Sequence, residues 1–199
     1  MSKHPKRAKP PLSPAKVLAR IARAEREQGL VSFRRWIPEA DRVGGFIVGR
    51  SDSWVLLASL SDRIALDGWV GVRLEDIQSV TRYPVEDCFQ IKVLQARELW
   101  PPLPPNDMDL EGTEGLLRTA ESQGSMVSVS LEFARPDACW IGSVRKIEGD
   151  TLTLLEVNVT GSWARKPRLF DLDDITRVDF GGGYEEALHL VAGAPPRSR

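Results

Sequence analysis

Apolar residues recur along this chain with two periods. Between Ser13 and Gly29 they fall at Val17, Leu18, Ile21 and Ala24 or Ala22, the one-face spacing of a helix. Ser13 is placed to cap it, Pro14 suits its first position because proline has no N–H to leave unpaired, and Gly29 can take the left-handed stop. A weaker helix is expected from about Thr113 to Gln123, with Leu116, Leu117 and Ala120 as its apolar side. Gly115 inside it costs up to about 1 kcal/mol relative to alanine. After each helix the period drops to two. Val127, Val129, Leu131 and Phe133 alternate with Ser128, Ser130 and Glu132, and Val31 and Phe33 begin the same pattern earlier in the chain. Three or four further short strands follow in each half, set off by turn residues at Ser51-Asp52-Ser53, Asp67-Gly68, Glu148-Gly149-Asp150 and Gly161-Ser162. Cys88, Cys139 and His189 fall in strands on this reading, and Gly181-Gly182-Gly183-Tyr184 is a hairpin loop between strands.

The second half restates the first. Ala24 to Gly29 followed by Val31-Ser32-Phe33 is answered by Ala120 to Gly124 followed by Val127-Ser128-Val129. Gly45 to Gly49 is answered by Cys139 to Val144, and Ser51 to Leu57 by Glu148 to Leu155. Val72-Arg73-Leu74-Glu75-Asp76-Ile77-Gln78-Ser79-Val80 stands beside Phe170-Asp171-Leu172-Asp173-Asp174-Ile175-Thr176-Arg177-Val178 at a constant offset of 98. Matches in the same order at similar spacing point to one unit duplicated. Short strands at this spacing close into small barrels, which removes exposed edges. The expected fold is mainly β (α+β), two tandem small β-barrels, each preceded by a short helix. Residues 1–12 are a disordered basic tail, 13–99 the first helix and barrel, 100–109 a Pro-rich linker, 110–193 the second helix and barrel, and 194–199 a disordered tail. The linker follows from four prolines in Trp100-Pro101-Pro102-Leu103-Pro104-Pro105-Asn106, which can continue neither a ladder nor a helix.

Charge is unevenly divided. Residues 1–27 carry eight Lys or Arg against Glu25 and Glu27, which leaves 19 basic and 26 acidic residues for the rest of the 199. A surface with that excess repels phosphate unless its positive charges gather on one face. The longest uncharged apolar stretch, Trp54 to Leu60, is far short of the roughly 20 residues of a bilayer helix, and no apolar run follows the basic segment Met1 to Pro10, so neither a membrane span nor a secretory signal is expected. Two cysteines exclude a disulfide-dense fold and a four-cysteine metal site, and a reduced, cytosolic protein is expected. The two histidines, His4 and His189, adjoin no nucleophile motif, neither Cys88 nor Cys139 has a base nearby in sequence, and no phosphate-cradling or metal-ligating spacing occurs. The chain is therefore expected to be no enzyme, with no cofactor and no metal.

Binding remains. Of six tryptophans, Trp54, Trp69 and Trp163 fall near expected loops or strand ends, where an aromatic can anchor a partner or pack a barrel mouth. Trp163-Ala164-Arg165-Lys166-Pro167-Arg168 interleaves aromatic and basic residues outside the tail. The expectation is an adaptor that engages a protein or peptide through barrel loops or strand edges, with Trp69, Trp163, Arg165, Lys166 and Arg168 as its contact residues. The alternative is RNA or single-stranded nucleic-acid binding through the basic tail and the 163–168 loop.

The run Gly45-Phe46-Ile47-Val48-Gly49-Arg50-Ser51-Asp52-Ser53-Trp54-Val55-Leu56-Leu57, with Val72-Arg73-Leu74-Glu75-Asp76-Ile77 after it, resembles the Sm-like small barrel, a family of ring-forming RNA-binding proteins. The likeness spans about 85 residues in each half and implies a helix followed by five bent strands. The RNA-binding members hold a base with a polar residue after the turn aspartate and a phosphate with an Arg-Gly pair. Here Trp54 or Thr151 stands in the first place, and Glu75-Asp76 or Asp173-Asp174 in the second. Carboxylates there repel phosphate by roughly 1 kcal/mol each at surface dielectric. The RNA site is not carried over, and Asp76 and Asp174 are expected to accept backbone N–H groups in tight turns.

Overall fold

A computed structural model describes residues 11–124 and 126–196. The expected tails fall mostly on residues 1–10 and 197–199, outside the described residues, as does His4. The chain is mainly β. Helix α1 (Pro14–Glu27) is followed by β1 (Leu30–Arg35), β2 (Val43–Arg50), β3 (Trp54–Leu60), β4 (Leu66–Arg73), β5 (Ile77–Arg82) and α2 (Phe89–Ala96). Then come α3 (Gly112–Gln123), β6 (Val127–Ser130), β7 (Trp140–Glu148), β8 (Thr151–Glu156), β9 (Arg168–Asp171), β10 (Arg177–Phe180) and α4 (Gly183–Ala192). No described helix is long and apolar enough to cross a membrane.

The ten strands form one antiparallel sheet in the order β5-β1-β2-β3-β4-β10-β6-β7-β8-β9, not two closed barrels. The reason lies at β4. Within its half, β4 would close a barrel by pairing with β5, but its free side is taken by β10, with Val72 opposite Arg177 and Trp69 opposite Phe180. The sheet is nevertheless strongly curled. Only residues 74–76 separate β4 from β5, a reach of about 14 Å at most, whereas strands four places apart in a flat sheet lie roughly 19 Å apart. Glycine permits the tight bends. A Cβ on Gly45 would run into the Ala58 carbonyl, and one on Gly142 into that of Leu155.

Two main cores lie on opposite faces of this sheet. Val31, Phe33, Val43, Ile47, Val55, Leu57, Val70, Val72, Ile77 and Val80 gather under α1, which contributes Val17, Ile21 and Ala24. Trp54 and Leu56, the alternate residues of β3, turn the other way and join Leu116, Leu117 and Ala120 of α3 with Val127, Val129, Leu152, Leu154, Val178 and Phe180. That is why β3 reads as an unbroken apolar run: both its sides are interior. Trp54, expected near a loop end, is 1% exposed. Gly71 of β4 leaves room for Leu116, whose methyl would lie 2.6 Å from an added Cβ.

Two helices stand where strands or a loop are expected from the sequence. Cys88 stands at the N-cap of α2, not in a strand, and α2 covers Leu30, Phe46 and Ala58 with Ile91 and Leu94. Gly183 opens α4, so the glycine run leads into a helix rather than a hairpin, and His189 lies on that helix. Cys139 is exposed in the loop before β7. Strand β6 stops at Ser130, short of the expected alternation, and Phe133 is 64% exposed. The left-handed stop of α1 is taken by Gln28 (φ 51°), one residue before Gly29. Gly115 of α3 faces the Asp109 side chain, and a Cβ there would meet its carboxylate at 2.6 Å unless that side chain moved. Asp76 is buried with one carboxylate oxygen unpartnered, and burial followed by the neighbouring Glu75 raises its pKa. In the second half it is Asp171, not Asp174, that accepts a backbone N–H, from Asp173 at 2.9 Å.

Side-chain contacts also bind the halves beyond the sheet. Arg73 at the end of β4 donates to the carbonyls of Ile175 (2.6 Å) and Leu172 (2.8 Å). Arg35 at the end of β1 forms a buried, two-pronged ion pair with Glu132 beyond β6. The proline segment lies against the first half: Trp100 donates its indole N–H to Gln28 O, and the Leu103 carbonyl accepts from Trp69.

Candidate functional site

The sheet has two outer edges, β5 and β9. The 163–168 loop delivers the chain to β9. It is shaped by Asn158, whose side-chain oxygen accepts from the backbone N–H of Thr160 (3.0 Å) and Ser162 (2.9 Å). Trp163 does not stand free: it packs against Val157 and Leu188 and donates its indole N–H to Ala192 O on α4 (3.2 Å). Arg165 and Lys166 are exposed beyond it. Arg168 pairs with Glu156 at 2.5 Å and sits 5.9 Å over the Trp140 ring. Leu169, the next residue of β9, is 67% exposed. Trp163, Arg165, Lys166 and Arg168 thus share one edge of the sheet.

Trp69 is elsewhere. It stacks on Phe180 across the β4·β10 seam, with ring centres 5.6 Å apart, and its indole N–H is used by Leu103. It lines a cleft of about 450 Å³ whose other walls include Asp67, Asp179, Glu185 and Arg177. Asp67 accepts the N–H of Gly183 at 2.7 Å and so caps α4, a role that suits a carboxylate at the positive end of a helix. Arg177 grips Asp179 through its Nε and one Nη, at 2.8 and 2.5 Å. Burial raises the Asp179 carboxyl pKa, against the pull of Arg177. Burial likewise raises Glu185, and the charges of Asp179 and Asp67 add to it. A carboxyl raised by folding holds its proton more tightly folded than unfolded. Stability is therefore present at low pH and lost as pH rises from the ordinary carboxylate range through the folded value. Glu185→Gln is expected to melt above the parent at neutral pH, with the gap closing toward mild acid. Thermal melts of both proteins across that range check this, and parallel curves would refute it.

The β5 edge is lined differently. Beside it lies a groove of about 1060 Å³ between α1 and the strands, walled by Arg20, Arg23, Arg34, Arg42 and Arg82. Leu12 donates its N–H to Gln78 O at 3.3 Å, so the described chain begins at this edge. The described chain begins beside β5, the 163–168 loop leads into β9 at the other end of the strand order, and the basic tail of the alternative reading lies mostly outside the described residues. Sequence reading missed these arginines as a group. The positive balance of residues 1–27 marked Arg20 and Arg23, but Arg34, Arg42 and Arg82 come from β1, the approach to β2, and β5, and only pairing of β5 with β1 assembles them.

Among the described residues no cluster of three or more His, Cys, Asp or Glu could hold a metal ion. No protein-family model, curated protein or solved structure matches the chain.

Proposed function

We propose that this chain is a non-catalytic binding module, a duplicated Sm-like unit acting in the reducing cytoplasm, and that it engages a partner protein by accepting one of the partner's strands at β9. The duplication is supported by the element order, helix, five strands and helix in each half, and by the matching strand orders β5-β1-β2-β3-β4 and β10-β6-β7-β8-β9. The observation that carries the binding reading is the open outward side of β9, with exposed Leu169 beside exposed Arg165 and Lys166. β4, the strand in the same place of the first half's order, already receives an added strand, β10, on that side. Main-chain hydrogen bonds give such strand addition its affinity, and alternate side chains give its specificity. β9 has four residues and Pro167 stands before it, so pairing is short and the association weak and transient.

A photo-crosslinking residue in place of Leu169 tests this in cells. It is expected to capture a discrete partner, and the same residue in place of Leu190, which is 85% exposed on α4, is expected to capture none. No adduct at 169, or equal adducts at both positions, would sink the reading. Adducts of the chain with itself would make the partner a second copy.

A further inference from the structure

The arginine groove along β5 assigns a second kind of ligand, independent of any partner at β9. Arg20 and Arg23 project from α1, Arg34 from β1 and Arg82 from β5, with Arg42 just before β2, and among the described residues no carboxylate lines the groove. Arg20 is held in place by donating to Val80 O at 2.9 Å, a contact that leaves its charge uncompensated. Arg23 and Arg82 share one carboxylate, Glu27, whose pKa they hold below its ordinary value, Arg23 foremost. Arg34 and Arg42 are exposed and have no acidic partner among the described residues. A chain whose residues 28–199 are net acidic thus concentrates positive charge at one edge. In the second half, β10 holds the place of β5 in the strand order but is paired on both sides, and the matching sequence positions carry Leu116, Thr119, Ser130 and Phe180 where the first half has Arg20, Arg23, Arg34 and Arg82. The groove belongs to the first half alone.

Guanidinium groups fork onto phosphate oxygens, and several along one trough match a repeating phosphate chain better than a single anion. What the groove lacks decides which chain. Single strands are held by stacking bases on aromatic rings, and among the described residues no aromatic side chain lines this groove. We infer that the groove binds the phosphate backbone of a nucleic-acid duplex, without reading sequence. A duplex offers phosphates at fixed spacing with its bases already stacked, so a wall of arginines without rings suffices.

Fluorescence anisotropy of the full chain with labelled 20-base-pair DNA, RNA duplex of the same length, and the corresponding single strands tests this. Both duplexes are expected to bind at low salt with a log–log salt slope of about −3 to −4.5, the value for three to five neutralised phosphates at about 0.9 each. Binding of only one duplex would identify the natural source of the backbone and still support the inference. Arg34→Ala with Arg42→Ala, at exposed positions that leave the core intact, should shallow that slope by about 1.8. It should also weaken low-salt binding at least tenfold, with an unchanged melting temperature. Arg165→Ala with Lys166→Ala at the far edge should change neither. Absence of duplex binding at low salt, single strands bound as tightly as duplexes, an unaffected Arg34/Arg42 variant, or an equal loss in the far-edge variant would each overturn the inference.

Discussion

Arg35→Ala should cost about 3–5 kcal/mol of folding stability, because it strands a carboxylate inside the protein. The side chains of Arg35 and Glu132 are 0% and 5% exposed, and among the described residues only the Thr176 hydroxyl, at 2.8 Å, joins the arginine in donating to the Glu132 carboxylate. Urea unfolding monitored by tryptophan fluorescence reads the loss. The paired replacement Arg35→Met with Glu132→Leu removes both charges together and is expected to recover most of it, since the ion pair's attraction roughly offsets its desolvation. A loss under about 1 kcal/mol for Arg35→Ala would mean that water reaches the pair and that it does not clamp β1 to the second half.

Leu56→Ala and Leu57→Ala should each cost about 2–5 kcal/mol, although the two side chains point to opposite faces of β3. Both are 0% exposed: Leu57 belongs to the core under α1, and Leu56 to the core under α3. A strand of a free-standing small barrel has one solvent face, where such a truncation costs little. The same denaturation experiment on the two variants distinguishes these cases, and a near-silent Leu56→Ala would contradict the two-sided burial of β3.

The mainly β character, α1 and α3 were legible because each rests on local period: Val17, Ile21 and Ala24 are buried at helical spacing, as are Leu116, Leu117 and Ala120. The stretches aligned at an offset of 98 both prove to be strand, turn and strand, β4 to β5 and β9 to β10. What failed was non-local. Phe89 to Ala96 and Gly183 to Ala192 are short apolar runs, and a short run does not declare its period. Closure is not legible because nothing in the sequence of β4 says whether its outer side meets β5 or β10; that is decided by a contact between residues about 105 apart. Of the candidate contact residues, the tryptophans were the least informative. Trp69 and Trp163 attract attention by composition, yet each spends its indole N–H on a backbone carbonyl. The Arg165 to Arg168 segment was visible as charge, while its place on an outer strand was not.

The two-sided burial of β3 also sets an order of events during synthesis. When translation has passed the prolines but not yet reached Gly112, Trp54 and Leu56 have been made while α3, β6, β8 and β10 have not. The nascent polypeptide must therefore keep a greasy ribbon from its neighbours until the ribosome delivers the remainder, which makes this interval the one in which misassembly and holdase binding concentrate.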